Sequence, residues 1–178
     1  MAGALRLGWL SDLRERLRRR RLASRTPQDV FSDYYSRNKW GDAESRSGKG
    51  SNLAATTTLR RILPELLREL GIGSMVDVPC GDFHWMSRVD LGGIDYLGGD
   101  IVADLIAQNR RQHAREGVRF EVFDLIAGPV PRADLVFCRD CLVHLSNAHV
   151  AAALRNIARS GSEWLLTTTF PGVQANAD

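Results

Sequence analysis

Several features are missing from this chain of 178 residues, and each absence removes a class of protein. No apolar run approaches the roughly 20 residues needed to span a bilayer. Its N-terminal Leu5-Arg-Leu-Gly-Trp-Leu10 is interrupted by charge and followed by more arginines with no small-residue cleavage site, so it does not read as a secretory signal. Cysteine is scarce: Cys80, Cys138 and Cys141 are odd in number and lack regular small-domain spacing, which argues against a disulfide framework and for a reduced setting. There is no internal repeat and no low-complexity segment. These absences lead to the expectation of a cytoplasmic protein whose length suits one domain with one hydrophobic core.

Basic charge is abundant only at one end. Residues 1–25 hold eight of the 24 basic residues and two of the 21 acidic ones, which leaves 16 basic against 19 acidic side chains beyond them. A mildly acidic domain, residues 26–178, therefore follows a basic arm, residues 1–25. Within the arm, residues 4–23 place Leu10, Leu13 and Leu17 at helical spacing with arginine over most other faces, which predicts a helix docked on the domain by its leucine stripe. A basic amphipathic helix also suits an acidic membrane surface, but that contact is not favoured. Without aromatic interleaving beyond Trp9, nucleic acid is disfavoured as a partner.

Two helical segments and a loop precede the first strand, and residues 26–73 are expected to form a lid and cap. Thr26-Pro27-Gln28-Asp29 combines an N-cap hydroxyl, a proline at the first helical position and an acid in the first turn, predicting a helix to about Arg37. The stretch from Lys39 to Ser51 is rich in Gly, Ser and charge, as a mobile loop is, yet it contains Trp40, whose apolar body needs cover. Ser51 or Asn52 is expected to cap a helix through about Leu70, kinked at Pro64. From residue 74 onward the expected order is strand 74–79, helix 83–90, strand 94–99, helix 101–115, strand 118–123, strand 133–138, helix 147–160 and strand 163–169. Strands alternating with helices predict an α/β fold in three layers, with a mainly parallel sheet of about five strands covered on both faces. No sixth or seventh strand is legible in Pro171 to Asp178.

Three successive strands each deliver an acid near one edge of that sheet. Asp77 lies within the first, whose glycine turn brings Asp82; Asp100 ends the second and Asp124 the third. In an open parallel sheet, ligands bind outside the carboxyl ends of the strands. A row of acids there suits a ligand with a ribose diol, an adenine amine and positive charge. The turn Pro79-Cys-Gly-Asp-Phe83 lacks the G-x-G-x-x-G that presents backbone N–H groups to a pyrophosphate; Pro79 has no N–H and Asp82 repels phosphate. S-adenosylmethionine fits, because it has adenine, ribose, a sulfonium and an ammonium but no phosphate. Asp100, 23 residues after Asp77, is placed to accept from the ribose hydroxyls, Asp124 from the adenine amine, and Asp77 or Asp82 to face the ammonium. Alternatively, Asp100 only caps the next helix and Asp124 only closes a turn.

Val76-Asp-Val-Pro-Cys-Gly-Asp82, Gly99-Asp100 and Ala133-Asp-Leu-Val-Phe-Cys-Arg-Asp-Cys-Leu-Val-His-Leu145 resemble the first, second and fourth motifs of class I S-adenosylmethionine-dependent methyltransferases, over roughly residues 26–170. The greatest likeness is to a bacterial group with Lys-Trp-Gly before the lid. The resemblance implies a Rossmann-like fold, a cofactor-binding core over 74–178 and S-adenosylmethionine as cofactor. It also implies that Gly81, beside Cys80, permits close approach to the methionine moiety, that Asp100 and its neighbour Ile101 hold the ribose, and that Asp124 with Leu125 reads the adenine. Cys138 or Arg139 would line the floor near the methyl, and Trp40 with the Arg46–Ser51 loop would close over the cofactor. Two departures stand out. Only Gly81 survives of the usual Gly-x-Gly-x-Gly, and the usual C-terminal strand pair that shapes the acceptor site is lacking.

The acceptor chemistry is expected after the fourth strand. Asp140 and His144, spaced i, i+4, are the candidates for acceptor binding and proton removal, although either can be a capping or packing residue. Trp85 is placed either to wall the cleft or to fill the core. A zinc set from Cys80, Cys138, Cys141 and His144 is disfavoured, so no metal is expected. The expected function is methyl transfer to a small-molecule oxygen or nitrogen acceptor. Two alternatives remain: a nicotinamide-dependent oxidoreductase, which shares the acid after strand two, and a catalytically inactive cofactor-binding or regulatory module tethered by its basic arm.

Overall fold

The computed structural model describes residues 25–170 and residue 172. The expected helix at 4–23 lies outside the described residues. Five strands, β1 (Ser74–Asp77), β2 (Asp95–Asp100), β3 (Val118–Val122), β4 (Leu135–Cys138) and β5 (Trp164–Thr167), form one sheet. They lie in the order β3-β2-β1-β4-β5, and every pairing is parallel. Strand side chains alternate between faces, and the central strands β1 and β4 are buried in both phases, so both faces must be covered there, whereas β3 (Val118-Arg-Phe-Glu-Val122) alternates apolar with charged residues. Met75, Tyr96, Leu135 and Phe137 pack on one face; Val76, Leu97, Val136 and Cys138 pack on the other.

Helices supply the cover. Tyr35 of α1 (Pro27–Ser36), Leu63 and Leu67 of α2 (Thr57–Glu69) and Leu105 and Ile106 of α3 (Ala103–His113) join the first face. Ala153 and Ile157 of α4 (Asn147–Arg159) cover the second. The result is the expected three-layer α/β sandwich, with β1 at the centre. Because the chain runs outward from β1 to β2 and β3 and then returns to β1's other side at β4, a topological switch point opens between β1 and β4.

Local signals explain most element ends. The first helix starts with a capping box: Thr26 Oγ1 accepts from Asp29 N at 3.2 Å while Thr26 N donates to Asp29 Oδ2 at 3.1 Å. Asn52 does cap a turn, its Oδ1 accepting from Ala55 N at 2.8 Å, but regular α2 begins only at Thr57. Pro64 lies inside α2 without ending it. One expectation fails outright. The helix expected over 83–90 is reduced to a 3₁₀ turn, Met86–Arg88. Phe83 adopts φ 56°, outside the helical region, and turns its ring inward onto Tyr96 and Phe120, with centroids 5.2 and 5.0 Å away. Burial of Phe83, Trp85 and Met86 in so short a crossover overrides helix propensity.

Candidate functional site

The glycine turn after β1 is held beside the end of β2. Cys80 N donates to Gly99 O at 2.8 Å, and Gly81 takes φ 55°, a left-handed conformation open to glycine at little cost. From there Gly81 N donates to Asp100 Oδ2 at 3.3 Å, while Gly81 O accepts from Asn109 Nδ2 at 2.7 Å. Asp100, the last residue of β2, also accepts from Val102 N at 3.0 Å through Oδ1. Burial pushes its carboxyl up to about 6, partly offset by backbone donors at Val102, Gly81 and Ile101. Asp77 is buried alongside and raised to about 7 by burial, opposed by the bond from Tyr96 Oη at 2.6 Å and assisted by the charge of Asp100. Two acids thus sit at the carboxyl edge with pKa values close to neutrality.

Around them lies a cavity of about 560 Å³ with mainly apolar walls. Of the residues expected at the site, Trp40, Asp77, Cys80, Gly81, Asp100, Ile101, Asp124, Leu125, Arg139, Asp140 and His144 line it. Trp85 lines it too, buried between Phe137, 6.0 Å away, and the Arg139 guanidinium, 5.6 Å away. Asp124 is half-buried and its Oδ1 closes a turn by accepting from Ile126 N at 2.7 Å. Trp40 packs at a tilt against the Tyr34 ring, 5.2 Å between centroids, and stands 6.5 Å from the His144 ring, bridging the first helix and the turn after β4.

Two expected site residues are placed elsewhere. Cys138 does not line the cavity: Phe137 points to the cavity face, so strand alternation sends Cys138 into the opposite layer with Val136. Asp82 does not line it either, because its carboxylate is engaged by Ser45, Arg46 and Ser47 of the loop before α2. Among the described residues no three metal-ligating side chains converge, and Cys80 and Cys138 pack on opposite faces.

Asn109, Phe123 and Tyr35 are site residues that the sequence did not disclose. A signal for Asn109 existed: it follows Leu105 by four residues on the buried stripe of α3, where a polar side chain must find a partner. Phe123 lines the cavity with its ring laid on Gly99, where any Cβ would collide with it. Gly99 therefore serves a close approach within the strand. Tyr35 lines the cavity from α1 and donates to Gln108 Oε1 at 2.8 Å.

Past β4, Asp140 has φ 51°, and its N–H donates to Thr168 Oγ1 at 2.8 Å. Such a conformation in a non-glycine residue is stabilised by its surroundings and is common at functional sites. Asp140 Oδ2 pairs with Arg139 at 3.0 Å, and Arg139 also donates to Gly50 O at 2.8 Å. His144 ends a 3₁₀ turn, Leu142–His144, and is exposed at the cavity mouth. A carboxylate, an imidazole and a guanidinium therefore line the same cavity as the buried acids.

Residues 76–162 match a family model described as a methyltransferase domain. No curated protein sequence matches the chain. Among solved structures, the fold resembles a sugar N-methyltransferase from a Streptoalloteichus species, with TM-score 0.55 and 22% identity over 78% of this chain and 60% of that one. It also resembles a magnesium protoporphyrin IX methyltransferase from Synechocystis, solved with S-adenosylhomocysteine, with TM-score 0.52 and 16% identity over 74% of this chain and 66% of that one. A [4+2]-cyclase shares the fold with TM-score 0.51 and 22% identity, over 61% of this chain and 42% of that one. The chain thus spans less than two thirds of the length of each of these three neighbours.

Proposed function

We propose, from the match of residues 76–162 to a methyltransferase domain and from the geometry of the cavity, that this chain is a class I S-adenosylmethionine-dependent methyltransferase that moves the methyl group to an oxygen or nitrogen of a small-molecule acceptor. The observation that carries this reading is Asp100: a buried carboxylate at the end of β2, beside the Gly81 turn, on the wall of a cavity large enough for a nucleoside ligand. The donor set fits the cofactor. Ionised Asp100 accepts well from a ribose diol, and the apolar side chains of Ile101, Phe123 and Leu125 give an adenine ring its cover, with Asp124 as acceptor for its amine. Asp77 supplies negative charge toward the ammonium. Asp82 is left out of this set.

When bound, S-adenosylmethionine supplies an electrophilic methyl on a sulfonium. The chain's own contribution is alignment and proton removal. An in-line displacement gains most from holding the acceptor atom at the correct angle and distance, and Trp40, Trp85 and the Arg139–Asp140 pair form the walls that would do so. Asp140 or His144 would take the proton of a hydroxyl or ammonium acceptor. The mildly acidic domain lacks the basic surface expected for a nucleic-acid acceptor.

The nicotinamide alternative is poorly supported, since Pro79 offers no N–H and Gly81 N already donates to Asp100, leaving the turn short of donors for a pyrophosphate. The test has two stages. Equilibrium titration should show binding of S-adenosylhomocysteine; protection against thermal unfolding by NAD alone would reverse the reading. Then methyl label from the cofactor should enter a low-molecular-weight fraction of cell extract, and Asp140→Asn or His144→Ala should slow transfer about 10²-fold if that residue is the base. Label recovered chiefly in RNA or protein would refute the acceptor class.

A further inference from the structure

The segment joining α1 to α2 crosses the cavity as a strap, and the side chains that fasten it belong to the sheet edge. At one end the Asp82 carboxylate accepts from Ser45 Oγ at 2.9 and 3.0 Å, from Arg46 N at 2.7 Å and from Ser47 Oγ at 3.3 Å. In return Asp82 N donates to Ser47 Oγ at 2.9 Å. Ser45 is buried at 1% exposure, so this clasp is shielded from competing water on the strap side. At the other end Arg139 donates to Gly50 O at 2.8 Å. From the first clasp to just past the second, Ser47 through Ser51 line the cavity, and Gly48 rests against Cβ of Trp40. Asp82 itself lines a second, polar crevice of about 310 Å³, shared with Glu44, Arg46, His84 and His113, none of which lines the cofactor cavity.

From this geometry we infer that Asp82 is a positioning residue that clasps the strap over the cofactor cavity, so that cofactor exchange requires the Asp82 bonds to break. The inference rests on the reading of the cavity as the cofactor site. Hydrogen bonds to an ionised carboxylate are among the stronger ones, and several converge on one side chain here. The strap has few alternative anchors along the same stretch. Asp42 folds it on itself through Glu44 N and Ser45 N, at 2.8 and 2.9 Å, and Arg46 reaches back to Tyr35 O at 3.3 Å, but neither fastens it to the glycine turn. Asp82 does so just past β1, where Glu44 Oε2 also approaches His84 Nε2 at 3.5 Å, while Arg139, just past β4, holds the strap's far end. Lid opening of this kind sets the rate of ligand release in many enzymes.

The test measures exchange. With Trp40 and Trp85 as fluorescent reporters, S-adenosylhomocysteine is bound and then displaced in a stopped-flow chase. Asp82→Asn should raise the dissociation rate about tenfold or more, with a smaller change in association rate, and Ser45→Ala should raise it about threefold. In parallel, tryptic cleavage after Arg46 and Lys49 should be faster in both variants without ligand than in the parent. Ser45→Ala decides the matter should Asp82→Asn not fold. Dissociation and cleavage rates within twofold of the parent in the folded variants would overturn the clasp while leaving the methyltransferase reading intact. If no form binds S-adenosylhomocysteine, that reading falls, and faster strap cleavage still supports the clasp whereas unchanged cleavage overturns it.

Discussion

The centre of the sheet and its β5 edge differ in how completely they are buried. At the β1–β2 side, every strand residue from Met75 to Asp77 and from Tyr96 to Asp100 is buried, and the two carboxylates there have raised pKa values. At the β5 edge, Trp164 and Leu165 are 42% and 41% exposed, and Phe170 and Val143 beside the cavity mouth are exposed as well. β4 is buried throughout and its neighbour β5 is not, although both are apolar. The part of the cavity assigned to the cofactor, around β1 and β2, is therefore buried and electrostatically tuned, while the part assigned to the acceptor carries exposed apolar side chains. Differences in function within a fold are carried by such variable portions.

Substitutions can sharpen this contrast, beginning with stability. Ile106, fully buried on the β1–β2 side, should lose about 2–5 kcal/mol on truncation to Ala, whereas Leu165→Ala on the exposed edge should cost well under that. Denaturant unfolding of the two variants gives the comparison; equal losses would show that β5 is covered in solution. Next in size is Asp100→Ala, expected to weaken S-adenosylhomocysteine by about 1–3 kcal/mol through lost charge-assisted bonds. Calorimetric titration reads it, and unchanged affinity would remove Asp100 from the site.

Proton linkage gives the smallest effect and follows from the raised acids. Asp77 and Asp100 bind protons more tightly in the folded state than their ordinary value of 3.8, so their contribution to stability is greatest below about pH 4 and is lost as pH rises toward 6 and 7. A ligand that donates to the ionised carboxylates has the opposite dependence. Through Asp100 alone its affinity should rise with pH, being about tenfold weaker at pH 5 than at pH 7, with a proton released on binding. Buffers of different ionisation enthalpy detect the release. An affinity independent of pH would mean that neither carboxylate meets the ligand in its charged form.

Much of the fold was legible because its signals are local. The Thr26–Asp29 capping box, the glycine turn at Gly81 and the apolar runs of β1 and β4 each act within a few residues, and they placed the alternating strands and helices and the acids at the strand ends. The alternation that turns Cys138 away from Phe137 was also present in the sequence, but which of the two faces holds the cavity was not. That depends on where α1, α2 and α3 pack. Tertiary structure alone decided the fate of residues 83–90, where burying Phe83 against Tyr96 and Phe120 outweighs a helix. It also decided Asp82, whose partners Ser45 to Ser47 lie 35 to 37 residues earlier in the chain. A local pattern fixes what a residue can offer, a carboxylate in a turn or a ring near a strand end; which group accepts that offer is settled only when distant segments are brought together by burial of the apolar faces between them.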